Sequence, residues 1–191
     1  MQSIRWLEAE GWRHGELPVD GAGRLQMEVA AQAMRRDTAL VSVMLANNET
    51  GTMQPVPEIA ALAHAHGALM HVDAAQGAGK IPVDVHALGA DLLTLAGHKF
   101  YAPKGVGALY VREETPILPI MAGAGRERGL RPGTENVPHI VALGTAARLA
   151  REGLAEEAAR LRALRDVLHE RLIHAIPGLL INLKTAVDFA S

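Results

Sequence analysis

The sequence predicts an α/β fold with a mostly parallel central sheet. Four short apolar runs have the length and β-branched content of buried strands, and they lie at residues 39–46, 68–72, 91–96 and 107–111. One helical pattern precedes the first run, and another separates the first two runs. Strands that alternate with helices along a chain are typical of parallel sheets.

The two helical segments are recognised by their spacing and by their end signals. Apolar residues recur at helical spacing from about residue 24 to residue 34. Pro57 suits the first turn of a second helix, which continues to His66 and stops at Gly67. This second helix lies where two parallel strands need a crossover connection.

A long amphipathic helix is predicted after Val137, where Ala, Leu, Arg and Glu become frequent. Its apolar row consists of leucines three and four positions apart, namely Leu161, Leu164, Leu168 and Leu172. Gly153 is expected to separate this helix from a preceding one, and Pro177-Gly178 is expected to end it. Residues 179–183 are a candidate for one more strand.

The composition is that of a soluble globular chain, with 49% hydrophobic and 21% charged residues. The formal net charge of −2 implies no general attraction to nucleic acid or to anionic membranes. No apolar run reaches membrane-spanning length and the first residues lack the features of a secretory signal, so a cytoplasmic location is expected. The chain has no cysteine, which excludes disulfides, thiolate metal sites and a cysteine nucleophile within it.

Polar clusters follow the first three predicted strands, at residues 47–49, 73–76 and 97–99. In open α/β sheets, ligands bind beyond the carboxyl ends of the strands. We therefore expect the three clusters to converge on one crevice. This crevice is the first candidate for a functional site.

Two residues of this crevice indicate its chemistry. Asp73 follows an apolar strand directly, so its carboxylate is partly desolvated and needs a cationic or hydrogen-bonding partner. Burial favours the neutral, nucleophilic amine of a lysine, and Lys99 lies close to apolar strands. A partly buried lysine and aspartate in one crevice suit a Schiff-base cofactor with a protonated ring nitrogen. Taken singly, Asp73 is better explained as a helix N-cap or turn residue, and Lys99 as a surface charge.

Four segments outweigh these structural explanations, because they resemble in order and spacing the signature sequences of cysteine desulfurases and selenocysteine lyases. They are LANNETG at 45–51, HVDAAQGAGK at 71–80, GHKFYAPKGVGALYVR at 97–112 and RPGTEN at 131–136. This family is aminotransferase class V-like and depends on pyridoxal 5′-phosphate (PLP). The resemblance implies the large domain of PLP fold type I, in part, over residues 1–145. It also implies linking helices and the start of a small α/β C-terminal domain over residues 146–191.

The resemblance implies a role for each of three cofactor ligands. Lys99 would hold the PLP aldehyde as a Schiff base and later move the α-proton of the substrate. Asp73 would pair with the pyridine nitrogen and keep it protonated. Gln76 would donate a hydrogen bond to the phenolate oxygen of PLP.

Three further residues complete the implied site. His98, beside the lysine, would help to hold the cofactor phosphate and belongs with Lys99 to the catalytic pair. Asn48 would lie near the phenolate oxygen and the substrate carboxylate. Thr134 would reach the phosphate of the partner subunit's cofactor, which implies a homodimer. His71, one strand alternation before Asp73, is interpreted as a support for that carboxylate.

The implied reaction is the removal of sulfur from L-cysteine to give alanine, or of selenium from selenocysteine. A sulfur-acceptor protein and a role in iron–sulfur cluster biogenesis would follow. Ala96 replaces a serine that contacts the phosphate in many relatives, a loss of about 1 kcal/mol in cofactor binding. The family's N-terminal phosphate loop and its C-terminal loop with the reactive cysteine have no counterpart, so we expect a chain truncated at both ends that does not transfer sulfur alone.

Three alternatives remain open. The first is a non-catalytic fragment that pairs with a relative. The second is a metal hydrolase built around His71 and Asp73, and the third is another PLP enzyme such as an aminotransferase or decarboxylase. Metal sites usually need three protein ligands, and His64 and His66 are two positions apart on a predicted helix, so they face different sides.

Overall fold

A four-stranded sheet forms the centre of the protein in a computed structural model that describes residues 2–181. The strands are β1 (Leu40–Met44), β2 (Leu69–Asp73), β3 (Leu92–Ala96) and β4 (Gly107–Val111), and they lie side by side in that order. The first three are parallel, whereas β4 pairs antiparallel with β3. The prediction of an α/β fold with a mostly parallel sheet is confirmed.

Four α-helices accompany the sheet within residues 2–181, together with two short 3-10 helices. They are α1 (Gln2–Ala9), α2 (Met27–Ala33), α3 (Val56–Ala65), α4 (Val137–Ala175) and the 3-10 helices Gly97–Phe100 and Glu127–Gly129. Helix α1 has no counterpart among the predicted helices, and none of its residues is buried. Among the described residues, no helix combines the length and the apolar character that a bilayer crossing requires.

Helix α2 is shorter than the predicted helix, because a side chain holds the residues before it in an extended conformation. The buried Gln54 accepts a hydrogen bond from the Leu25 backbone N–H (2.8 Å) and donates one to the Gly23 carbonyl (2.8 Å). Thr52, also buried, donates to the Ala22 carbonyl at 2.7 Å. Tertiary hydrogen bonds of this kind override a local helical pattern.

The core lies on one face of the sheet. Alternate strand residues point into it and pack against α3, and the members of this cluster with no more than 2% exposure include Val56, Ile59, Met70, Val72 and Leu93. On β1, the intervening residues Leu40, Ser42 and Met44 are exposed. The expectation that this strand is buried throughout is therefore wrong, because α3 covers only one of its faces.

A buried carboxylate ties four elements together at the opposite end of the sheet from the carboxyl ends of β1, β2 and β3. Asp91 accepts hydrogen bonds from the Met70 backbone N–H and from His64 Nε2, both at 2.8 Å, and pairs with Arg112 Nε at 3.0 Å. Burial raises the pKa of the Asp91 carboxyl, but these hydrogen bonds and the charges of His64 and Arg112 outweigh it and hold the pKa below its ordinary value.

Helix α4 is continuous over 39 residues. The predicted break at Gly153 is wrong: glycine costs only about 1 kcal/mol in a helix interior, which the surrounding helix formers offset. Asn136 caps the first turn by accepting from the His139 N–H, and the helix ends at Ala175, before Pro177, as predicted. No strand is present at 179–181, and residues 182–183 lie outside the described residues.

Replacing Asp91 with asparagine is expected to lower the free energy of unfolding by about 2 kcal/mol at neutral pH, because an amide cannot neutralise Arg112 or accept from every donor around it. The pKa of Asp91 is lower in the folded than in the unfolded chain. Its stabilisation is therefore complete above about pH 4 and is lost as the pH falls through the folded pKa. Urea unfolding followed by circular dichroism at neutral and acidic pH measures both effects.

The matched control is Asp166→Asn on the exposed surface of α4, where the carboxylate accepts from the neighbouring Arg165 at 2.8 Å. We expect this variant to stay within about 0.5 kcal/mol of the parent at both pH values. Equal losses in the two variants would contradict the role assigned to Asp91.

Candidate functional site

The register of the parallel strands brings the three polar segments to one edge of the sheet. Asp73, the last residue of β2, is aligned with Met44 on β1 and with Thr94 on β3. The pairing continues one step further, where Leu45 N–H donates to the Asp73 carbonyl (2.8 Å) and Ala74 N–H donates to the Thr94 carbonyl (3.0 Å). Segments 47–49, 73–76 and 97–99 therefore begin next to one another.

Asp73 is half-buried, and its Oδ1 atom accepts the Ala75 N–H at 2.9 Å. This hydrogen bond is the local turn contact that the simpler interpretation of Asp73 requires. Within residues 2–181, nothing donates to the other oxygen, Oδ2. The carboxylate thus keeps acceptor capacity for a ligand.

Gln76 is oriented by a lysine four residues later. Lys80 Nζ donates to Gln76 Oε1 at 3.1 Å. Because an ammonium group only donates, this contact assigns the carbonyl oxygen and leaves the Gln76 amide nitrogen available as a donor. Burial, and secondarily the charge of Lys99, lowers the pKa of Lys80, so the two lysines lie close enough to repel each other.

His98 and Lys99 lie on the short 3-10 helix that follows β3, and both are exposed. The expectation that Lys99 is partly buried is wrong within the described residues. The reason is that Phe100, which is 4% exposed, occupies the buried position of this turn and directs its two neighbours outward.

The position of this turn depends on a glycine. A Cβ atom on Gly97 would lie 2.8 Å from the Val106 carbonyl oxygen and 2.9 Å from Leu143 Cδ1 on α4. Both distances are shorter than ordinary carbon contacts allow. The absence of a side chain therefore lets the Lys99 turn sit between the β4 connection and α4.

The two remaining candidate residues, Asn48 and Thr134, make no hydrogen bond to the other site residues within residues 2–181. Asn47 Oδ1 accepts the Glu49 N–H (2.8 Å) and the Thr50 N–H (2.9 Å), so Asn47 shapes its own turn and leaves Asn48 exposed. Thr134 is exposed in the loop before α4. Within residues 2–181, no hydrogen bond joins the side chain of Asn48 or Thr134 to Asp73, Gln76, His98 or Lys99.

A hydroxyl–imidazole row (Ser42, His71 and Thr94) crosses three strands beside the site. Ser42 Oγ lies 2.7 Å from His71 Nδ1, and Thr94 Oγ1 lies 2.8 Å from His71 Nε2. Burial lowers the pKa of His71, and the nearby Asp73 carboxylate raises it by less. Sequence reasoning singled out His71 but missed Ser42, Thr94 and Lys80. The available signal was that Ser42 and Thr94 are polar residues inside otherwise apolar strand runs.

The aminotransferase class-V family matches residues 3–188. The chain belongs to this family. A cysteine desulfurase of Gluconacetobacter diazotrophicus is 50% identical over 172 residues, which are 90% of this chain and 43% of that protein. The cysteine desulfurase IscS of Ehrlichia chaffeensis is 44% identical over 185 residues, which are 95% of this chain and 45% of that protein. The chain thus spans less than half the length of these curated relatives.

Solved structures agree with this assignment. A NifS-like protein superposes with a TM-score of 0.87 at 40% identity, covering 91% of this chain and 48% of that structure. DndA from Streptomyces lividans gives a TM-score of 0.88 at 37% identity, covering 99% of this chain and 54% of that structure. The resemblance predicted from four segments, and the PLP-enzyme fold, are confirmed. Enzymes of this family are PLP-dependent.

Within residues 2–181, no group of side chains favours the metal hydrolase. Among the described residues, no three His, Asp or Glu side chains lie together as a metal site requires. His71, which suggested that alternative, has both ring nitrogens in contact with hydroxyl groups.

Gly97→Ala is expected to lower the free energy of unfolding by about 2 kcal/mol, because the added methyl group must displace a backbone carbonyl or α4. Gly144→Ala is the matched control, since nothing lies within 4 Å of the Cβ position of this α4 glycine. We expect that change to raise the free energy of unfolding by up to about 1 kcal/mol. Urea titration of both variants distinguishes steric displacement from a general effect of alanine; a neutral Gly97→Ala would refute the packing argument.

Proposed function

We propose that this chain is part of a PLP-dependent cysteine desulfurase-like protein, which removes sulfur from L-cysteine to give alanine or selenium from selenocysteine. The observation that carries the proposal is the set of Asp73, Gln76, His98 and Lys99 at the carboxyl ends of adjacent strands. The names of the relatives described above support the choice of reaction.

The chemistry of these four side chains fits the functional groups of PLP. The carboxylate of Asp73 has capacity left for the protonated ring nitrogen, and the amide nitrogen of Gln76 is a donor for the phenolate oxygen. His98 would donate to the phosphate, and the amine of Lys99 would bind the aldehyde. When bound, PLP supplies an electron sink for the substrate's α-carbon.

The residues of the chain divide the remaining work among themselves. Lys99 Nζ would take the α-proton of the substrate and return it. Asp73 holds the proton on the ring nitrogen by its negative charge. Asn48, exposed beyond β1, hydrogen-bonds the substrate carboxylate.

Sulfur transfer needs a thiolate, and the 191 residues contain no cysteine. The thiolate that attacks the substrate sulfur therefore comes from outside this sequence. We place the protein in the cytoplasm as a homodimer, with Thr134 donating to the phosphate of the partner subunit's cofactor and with a sulfur-acceptor protein as a transient partner. Iron–sulfur cluster biogenesis would use such sulfur.

The alternative is a non-catalytic chain that pairs with a relative. The exposure of Lys99 favours it, because the chemistry predicted from the sequence requires a partly buried amine. PLP binding decides between the two functions.

PLP added to the purified chain is expected to form a covalent bond with Lys99 that borohydride makes permanent. Absorbance spectroscopy detects the bound cofactor, and peptide mass spectrometry locates it. Lys99→Ala removes the modification, whereas Lys104→Ala, which changes an exposed lysine nearby, retains it. Modification spread over many lysines, or none at all, would support the non-catalytic alternative.

Asp73→Asn is expected to weaken PLP binding by roughly 10- to 100-fold, because one hydrogen bond between charged groups contributes about 1.5–3 kcal/mol. Asp84→Asn is a matched control: Asp84 also accepts backbone N–H groups in a turn, from His86 at 2.8 Å and Ala87 at 3.1 Å, but it lies in the connection that leads to the start of β3 and outside the three polar segments. Titration of the bound-cofactor absorbance gives both affinities, and equal affinities would remove Asp73 from the proposed site.

A further inference from the structure

The hydroxyl–imidazole row lies on the same face of the sheet as Asp73. His71 and Asp73 are two positions apart on β2, so their side chains project to the same side. The row crosses from β1 through β2 to β3 by two short contacts, 2.7 Å to Ser42 and 2.8 Å to Thr94. It uses both ring nitrogens of His71, and the reaction proposed above uses neither.

The hydrogen-bonding groups of the row suit a neutral imidazole ring at His71. A neutral ring has one N–H donor and one acceptor nitrogen, and each hydroxyl is both a donor and an acceptor. Either tautomer is therefore fully satisfied between Ser42 and Thr94. Burial disfavours the charged ring and lowers the pKa of His71.

Among residues 2–181, Asp73 is the charged group that affects the pKa of His71. Its negative charge raises this pKa, whereas burial lowers it. The neighbours of the ring on β1 and β3 are the two hydroxyl groups, which carry no charge. If His71 were protonated, its charge would compensate that of Asp73. A protonated pyridine nitrogen would then lose part of the attraction that keeps it protonated.

We propose that His71, held by Ser42 and Thr94, is a positioning residue that keeps the negative charge of Asp73 uncompensated and so reserves this carboxylate for the ring nitrogen of PLP. The proposal rests on the proposed function, since it names what the row does for that same site. It assigns the row a role beyond linking three strands.

The first test needs no cofactor. The ring of His71 in the isotope-labelled chain is titrated by NMR in the parent and in Asp73→Asn. We expect a midpoint below the ordinary value of about 6.5, and a lower midpoint still in Asp73→Asn, because the carboxylate that raises the pKa is gone. A midpoint at or above the ordinary value, or one that Asp73→Asn leaves unchanged, would overturn the inference.

The second test uses PLP labelled with ¹⁵N in its ring, bound to the chain. We expect the ring nitrogen to be protonated at neutral pH, where the charge of Asp73 favours it. Thr94→Val removes a hydroxyl at nearly constant volume and is expected to weaken PLP binding about 5- to 10-fold and to reduce ring protonation. Thr94→Ser restores the hydroxyl and is expected to restore both properties. A role confined to linking strands would change the unfolding midpoint of Thr94→Val and leave ring protonation as in the parent.

The two tests separate the inference from the proposed function. If the parent chain takes up no PLP, the proposed function fails, and the cofactor-free titration alone decides whether His71 is the neutral neighbour of Asp73. If PLP binds and Thr94→Val behaves like the parent in affinity and ring protonation, the proposed function stands and the inference fails.

Discussion

The parallel register of β1, β2 and β3 is the constraint on which the rest of the structure depends. It aligns Met44, Asp73 and Thr94 across the sheet. The three polar segments of the candidate site begin at this position or shortly after it. Because side chains alternate between faces along a strand, a slip of β2 by one residue would turn His71 and Asp73 into the core and expose Met70 and Val72. Core packing and the candidate site are thus specified by the same alternation.

The two ends of the sheet are occupied differently. At the carboxyl ends of the parallel strands, the side chains of Asp73, Gln76, His98 and Lys99 keep unused hydrogen-bonding capacity. At the other end, Asp91 is surrounded by donors from three elements and its capacity is used within the fold. A carboxylate whose hydrogen-bonding capacity is used within the protein stabilises the fold, whereas one with unused capacity is able to bind a ligand. This division is why Asp73, and not Asp91, is a candidate ligand for a cofactor.

The sequence was sufficient for the parts of the fold that local patterns determine. The strand alternation with helices, the end of α4 before Pro177 and the placement of Asp73 at a strand end were all predictable. Long-range effects were not: side-chain hydrogen bonds from Gln54 shorten α2, and Phe100 takes the buried position beside Lys99. Similarly, no sequence pattern indicates that Ser42 and Thr94, on different strands, meet at one imidazole. The roles of the six candidate site residues remain predictions.

The continuity of α4 has a mechanical consequence. With a rise of 1.5 Å per residue, its 39 residues form a rod about 60 Å long. The rod contacts two segments in its N-terminal half: Leu143 lies next to Gly97 in the Lys99 turn, and Ala150 lies next to Gly79 in the segment after β2. Because no break interrupts the helix, a tilt of its far end would also displace these contacts. The position of Lys99, the residue proposed to bind PLP, is therefore coupled to any contact made at the far end of this helix.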